Sequence, residues 1–158
     1  MKTDTWLVTA TPPTPNGDLH LGHLCGPYLA ADVFTRHLRQ SGANVKTITG
    51  IDDHQSYTKA LAIRDQDTAE NTAQWFGDRI IEAWNNAHVK FDSITRPQRD
   101  TNHRSLAQAI FLELFEQGDI VAREKPLPYC TGCNRWAYEA YVKGECPHCG
   151  AQSCGNVC

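Results

Sequence analysis

The sequence predicts an α/β fold, a parallel and doubly wound sheet followed by a small cysteine-rich segment. Three observations carry this reading. A short β-leaning run, Trp6 to Thr11, stops at Pro12 and Pro13 and is followed by a helix-spaced stretch. A β-branched run, Val45 to Thr49, comes next, so strand, helix and strand alternate as in a crossover unit. Six of the seven cysteines then crowd into the last 29 residues, where the composition changes near Pro126 and Pro128. We read two parts: residues 1–125 as the α/β half and residues 126–158 as a separate cysteine-bearing segment.

Each element has its own signal. Thr11 to Gly17 is a loop by its three prolines and its Asn-Gly pair. From about Leu21 to Ser41, the residues Leu21, Leu24, Tyr28, Leu29, Val33 and Leu38 recur at helical spacing, and Gly42 suits the end. After Val45 to Thr49 come Gly50 and an acidic loop. Asp67 with Glu70 forms a capping-box start for a helix to about Ala87, with Ala69, Ala73, Phe76, Ile80 and Trp84 as its buried face. A further helix, near Thr101 to Gln117, ends at Gly118. The stretch from Arg135 to Val142 is aromatic and β-leaning, enough for a hairpin.

Composition narrows the function classes. The chain has 158 residues, the size of one domain, with 41% hydrophobic and 21% charged residues, which argues against disorder. Its formal charge of −3 and lack of any long basic run exclude nucleic-acid binding by bulk electrostatics alone. No apolar run reaches the roughly 18 residues a membrane span requires, so no membrane partner is expected. The N-terminus lacks the pattern of a signal peptide, and a cytoplasmic location is expected.

The sharpest chemical feature lies between the first strand and the first helix, in Asn16-Gly17-Asp18-Leu19-His20-Leu21-Gly22-His23. A helix N-terminus offers unpaired amides and a positive dipole end, both of which attract phosphate. Gly22 lets backbone approach a ligand, and His20 and His23 share one side of the first turn. Two imidazoles and free amides aimed at one point can stabilise charge on a phosphoryl group in transfer. Capping or surface histidines at an ordinary turn would give the same letters. Likewise Asp52, Asp53 and His54 read either as a solvated polar turn or as a site at a strand's carboxyl end, where an α-ammonium group needs a fixed carboxylate.

The cysteines point to metal. In a reducing compartment clustered thiols more often hold a metal than form disulfides. Cys130 and Cys133, then Cys146 and Cys149 twelve residues later, make two Cys-x-x-Cys pairs and a four-sulfur set of the kind zinc prefers. Four closed ligands mean a structural Zn2+. Cys154 and Cys158 look like entry into a further knuckle, so the segment reads as incomplete at its C-terminus.

Four segments in order resemble a known family. Pro-x-x-x-Gly-x-x-His-x-Gly-His after an N-terminal strand is similar to the signature of class I aminoacyl-tRNA synthetases. Thr49-Gly50-Ile51-Asp52-Asp53-His54 resembles the Gly-Thr-Asp-Glu-His of methionyl-tRNA synthetases. Phe91-Asp92-Ser93-Ile94-Thr95-Arg96-Pro97 with His103, and Tyr129-Cys130-Thr131-Gly132-Cys133, resemble that family's later motifs, the last its zinc-bearing insertion.

The resemblance implies a Rossmann-like half-domain over 1–125 and a zinc-binding connective segment over 126–158. It also implies ATP-dependent activation of an amino acid and transfer to tRNA. ATP, with Mg2+ as part of the substrate, would meet Asn16, Gly17, His20, Gly22 and His23. Of these, His20 and His23 would stabilise the α-phosphoryl transition state. Pro12, Thr14 and Asp52 would contact the amino acid, Asp52 at its ammonium.

The sequence departs from the family's pattern where Pro12 and Thr14 replace an apolar and an aromatic wall, and where Gln55-Ser56-Tyr57 follows the histidine in place of glycine. The resemblance implies methionine or a related small side chain as substrate, while these changes imply a smaller or more polar pocket wall than the usual methionine contacts. The family's Lys-Met-Ser-Lys-Ser does not occur, since Met1 is the only methionine. The chain therefore reads as an N-terminal piece of a longer enzyme, inactive alone. The other reading is a non-catalytic, synthetase-derived zinc module that docks tRNA or a protein partner.

Overall fold

The structure, a computed structural model, describes residues 5–154. The side chain of Cys154 and all of Cys158 lie outside the described residues, as do Met1 to Asp4. Three parallel strands form the sheet: β1 (Thr5–Thr9), β2 (Asn44–Gly50) and β3 (Ser93–Thr95), in the order β1-β2-β3. Trp6 pairs with Val45, and Thr49 pairs with Ile94. The expected α/β class and parallel sheet are what the chain forms.

Helices carry the crossovers. From β1 the chain runs through α1 (Leu21–His23), a π-turn (Leu24–Tyr28) and α2 (Leu29–Gln40) back to β2. Between β2 and β3 lie α3 (Ser56–Arg64) and α4 (Ala69–Asn86), which pack on each other. The long helix α5 (Thr101–Glu116) follows β3. It begins where the Asp100 side chain accepts the His103 amide at 3.0 Å.

The π-turn corrects the expected helix face. Pro27 has no N–H to donate, so the regular ladder cannot run through it, and the wider turn absorbs the ring. An added residue rotates everything downstream by about 100°. Tyr28, Ala31 and Thr35 are buried, whereas Leu29 and Val33, which follow Tyr28 in the helically spaced set, face outward. Helix α4 starts one residue later than its letters imply, because the Thr68 hydroxyl accepts the Asn71 amide at 3.1 Å and takes the capping position from Asp67. Its buried face keeps Ala73, Ile80 and Trp84 but substitutes Thr72 and Gly77 for Ala69 and Phe76.

The core sits behind the carboxyl ends of the strands. Tyr28, Trp84 and Phe91 meet edge to face, with centroids 5.0 Å apart for Tyr28–Trp84 and 5.1 Å for Trp84–Phe91. Such pairs add about 0.5–1.5 kcal/mol each beyond burial. Ala10, Ile51 and Ile80 complete the packing under the loops that leave β1 and β2. Strands β2 and β3 are tied to α2 by Asp92, whose carboxylate accepts the Thr47 amide and the Arg39 guanidinium, both at 2.7 Å.

The cysteine-bearing segment forms two small hairpins. β4 (Tyr129–Cys130) pairs antiparallel with β5 (Arg135–Trp136), and β6 (Lys143–Glu145) with β7 (Gln152–Cys154). The stretch from Arg135 to Val142 is therefore not a hairpin of its own. Its first residues pair back across the Cys130–Cys133 turn, and Glu139–Tyr141 form a 3-10 turn that packs on α3. The Ser56 hydroxyl and Glu139 Oε2 hydrogen-bond at 2.7 Å across that contact.

Candidate active site

Two adjoining cavities open at the carboxyl ends of the parallel strands, where open α/β sheets bind ligands. The first, about 560 Å³, lies under the Thr11–Leu19 loop and is lined by Pro12, Thr14, Asn16, Gly17 and His23. The second, about 720 Å³, lies over the strand ends themselves, with Pro12, Asp52, His54, Thr95, Pro97 and His103 in its wall. Thr11 and Pro12 belong to both. Pro12 and Asp52, which come from different strand ends, thus face one region. The two candidate metal pairs are not part of it.

The loop over the first cavity is held from three sides. The Tyr28 hydroxyl donates to Thr11 O at 3.2 Å, and burial pushes that phenol up to about 12. The Asp52 amide donates to Pro13 O at 2.9 Å, tying the β1 loop to the β2 loop. Arg79 of α4 makes two bonds to Asp18, at 2.5 Å and 2.8 Å, and this guanidinium holds the exposed carboxyl below its usual range.

His20 and His23 cap one another. The His23 amide donates to His20 Nδ1 at 3.2 Å, the His20 amide donates to His23 Nδ1 at 3.3 Å, and the rings stack 3.6 Å apart. Because each Nδ1 accepts, each Nε2 carries the proton in the neutral ring and is available as a donor. Gly22 is required by this stack: a Cβ there would sit 2.9 Å from His20 Cε1. The sequence pointed to all three residues; that the imidazoles are mutual caps is visible only in three dimensions.

Asp52 stands at the junction. Its backbone is anchored to Pro13, and its Oδ2 accepts a hydrogen bond from the Gln55 side-chain amide. Asp53 beside it is buried and turned away from the cavity, where it accepts the Gln98 amide at 3.1 Å and lies 3.5 Å from Arg96 Nε. Two adjacent aspartates therefore have opposite roles, one lining the cavity and one anchoring the loop after β3. Sequence reasoning passed over His54, Tyr57 and Gln55 as site residues. Gln55 carried one signal, its departure from the glycine expected there.

The cysteine pairs form two separate turns. The Cys133 amide donates to Cys130 Sγ at 3.4 Å, and this bond pushes the Cys130 thiol down while its partner Cys133 is pushed up. The His148 amide donates to Cys146 Sγ at 3.4 Å, and Gly150, at φ 71°, returns its amide to Cys146 O. Amides aimed at sulfur suit thiolate ligands. Among the described residues no group of three or more His, Cys, Asp or Glu side chains converges on one metal position. No helix among them is long and apolar enough to cross a membrane.

Comparison with known proteins shows the family. The sequence model of a family described as tRNA synthetases class I (M) matches residues 6–158. The methionine–tRNA ligase of Dehalococcoides mccartyi is 36% identical over 137 residues, covering 87% of this chain and 25% of that protein. That of Pyrococcus furiosus is 34% identical over 148 residues, covering 94% and 20%. A solved structure of Mycobacterium tuberculosis methionyl-tRNA synthetase in complex with methionyl-adenylate has the same fold, with a TM-score of 0.76 at 21% identity over 95% of this chain and 28% of that one. The match over residues 6–158 and the shared fold place this chain among the class I tRNA synthetases. The chain belongs to the M family of that class. It spans about a quarter of the length of the relatives it matches.

Proposed function

We propose that this chain supplies the ATP- and amino-acid-binding half of a methionine–tRNA ligase, working in the cytoplasm as part of a longer polypeptide. The observation that carries the reading is the convergence of Pro12, Thr14, His23 and Asp52 on two adjoining cavities at the strand ends.

In the proposed reaction an amino-acid carboxylate oxygen attacks the α-phosphorus of ATP. A new P–O bond forms, the bond to pyrophosphate breaks, and pyrophosphate leaves with the electron pair. A hydroxyl of tRNA then attacks the acyl carbon and AMP departs. His20 and His23 would donate from Nε2 to phosphoryl oxygens as charge grows on them. Asn16 and Gly17 would line the nucleotide's path, and Gly22 would admit it close to the backbone. Asp52 would hold the α-ammonium, a charge-assisted contact that fixes the carboxylate for attack. Mg2+ would enter with ATP as part of the substrate.

Pro12 and Thr14 support a side-chain pocket with a rigid and a polar wall, so that methionine would lose apolar contact there and a smaller or more polar relative would fit better. Cys130, Cys133, Cys146 and Cys149 would hold a structural Zn2+, each turn contributing two sulfurs, of which the first, Cys130 or Cys146, accepts a backbone amide. The metal would supply folding stability to the segment and no step of the reaction.

Amino-acid-dependent ATP–pyrophosphate exchange on the longest natural product of the gene tests this, with all amino acids screened. Exchange that depends on methionine, or on one small relative of it, and disappears in Asp52→Asn is the expected result. A protein that binds tRNA yet exchanges with no amino acid would overturn the reading in favour of a docking module.

A further inference from the structure

Gln55 occupies the capping position of α3 but does not cap it. Its backbone is extended, with φ −81° and ψ 143°, as at other helix starts, and its side chain makes no bond to the first-turn amides. Gln is a poor residue for this position, since Ser, Thr, Asp and Asn reach those amides better. The side chain instead turns back three residues and donates its amide N–H to Asp52 Oδ2. Asp52 Oδ1 receives no hydrogen bond from the described residues, and the residue itself lies in the wall of the larger cavity.

We infer that Gln55 is a positioning residue that sets the amino-acid affinity of the site by locking the Asp52 carboxylate. The inference rests on the reading of Asp52 as the ammonium anchor. A carboxylate on a short loop has a χ2 torsion that turns freely between broad wells. One oxygen held by Gln55 and the backbone held at Pro13 leave a single orientation, with the second oxygen free for a cation. The cost of ordering the anchor is met before the substrate arrives. Gln55 contributes this without a charge. A cationic side chain at 55 would reach the same carboxylate and compete with the ammonium.

The geometry makes the test clean. Since Gln55 caps nothing, Gln55→Met keeps length and volume, removes the donor and leaves the helix start as it was. In the longest natural gene product, Gln55→Met should raise the KM for the amino acid about three- to tenfold, the size of an ordinary net hydrogen bond, since the donor orders the carboxylate and does not touch the substrate. The KM for ATP and the midpoint of thermal unfolding should stay at parent values, which a merely structural role would not predict. Gln55→Lys should raise the amino-acid KM further than Gln55→Met, because its ammonium occupies the anchor. Parent-like amino-acid KM in Gln55→Met, with loss in Asp52→Asn, would overturn the role of Gln55 and leave the function standing. An unchanged amino-acid KM in Asp52→Asn would overturn the anchor itself, and this inference with it.

Discussion

Arg96 lies across Gly77 so closely that a Cβ on residue 77 would sit 2.4 Å from a guanidinium nitrogen. The guanidinium is wedged. It lies 3.5 Å from the buried Asp53, 3.0 Å from Asp78, and donates to Ala73 O at 3.2 Å. These contacts pin the loop after β3, whose Pro97 lines the larger cavity, to the middle of α4. Gly77→Ala should therefore destabilise the fold by about 1–3 kcal/mol through overpacking, despite the roughly 1 kcal/mol that alanine gains in helix propensity. Urea unfolding measures it. A variant as stable as the parent would show that Arg96 can retreat.

Asp92 gives the fold a predictable acid limb. The Thr47 amide, then Arg39 and Lys46, hold this carboxyl below its ordinary value of 3.8. A depressed carboxylate stabilises the native state above the unfolded value and loses that contribution as pH falls through the native one. Stability should decline below about pH 4. Asp92→Asn should cost about 1–2 kcal/mol at pH 7, because two charge-assisted bonds become bonds to a neutral amide oxygen, and flatten the decline. Equal slopes below pH 4 in both proteins would remove Asp92 from the account.

The mutual caps allow the two contributions of His20 to be separated. Asn is among the best capping residues, so His20→Asn should keep the helix start and lose the Nε2 donor. In pyrophosphate exchange it should lower the rate while leaving the KM for ATP near the parent value. His20→Ala should lose both the rate and about 1 kcal/mol of stability. Parent-like rates in both would make His20 a cap and nothing else.

For the cysteine segment, elemental analysis of purified protein should find about one zinc per chain, as four thiolate ligands imply. Cys130→Ser should lower that content and loosen residues 129–150 to hydrogen exchange while leaving the sheet protected. Metal-free protein with unchanged exchange rates would end the four-sulfur assignment.

Residues 1–158 alone should not catalyse exchange. Charge on departing pyrophosphate needs a cationic partner, and the strand lysine Lys46 is no mobile clamp. The same piece exposes Leu106, Ile110, Phe111 and Phe115 on α5, and Trp6 and Leu7 on β1. Sedimentation velocity should show concentration-dependent self-association of this piece. A monomer with exchange rates equal to those of the longest natural product would refute both expectations.

Strands β1 and β2, the loop of prolines between β1 and the first helix, and helices α4 and α5 were legible in the letters. Their signals are local: alternation and β-branching, prolines that stop a strand, caps and a 3.6-residue period. The candidates His20, Gly22, His23 and Asp52 could be proposed for the same reason, since a strand end and a helix start are short-range features, and the cavities bring His23 and Asp52 to adjoining walls. Strand β3 and helix α3 were not. Three residues carry no period, and the nine of α3 show almost no apolar face, so only pairing with Thr49 and packing on α4 bring them into the fold. The inward face of α2 was decided by the π-turn at Pro27, which shifts the register by an amount no periodicity reveals. The pairs that position the site join residues far apart in the chain, Arg96 with Gly77 and Asp18 with Arg79. The bond from Gln55 to Asp52 is local, yet it depends on a side chain abandoning its own helix. Sequence supplied the chemistry; folding chose its partners, because hydrogen bonds and close packing are settled by distance in space.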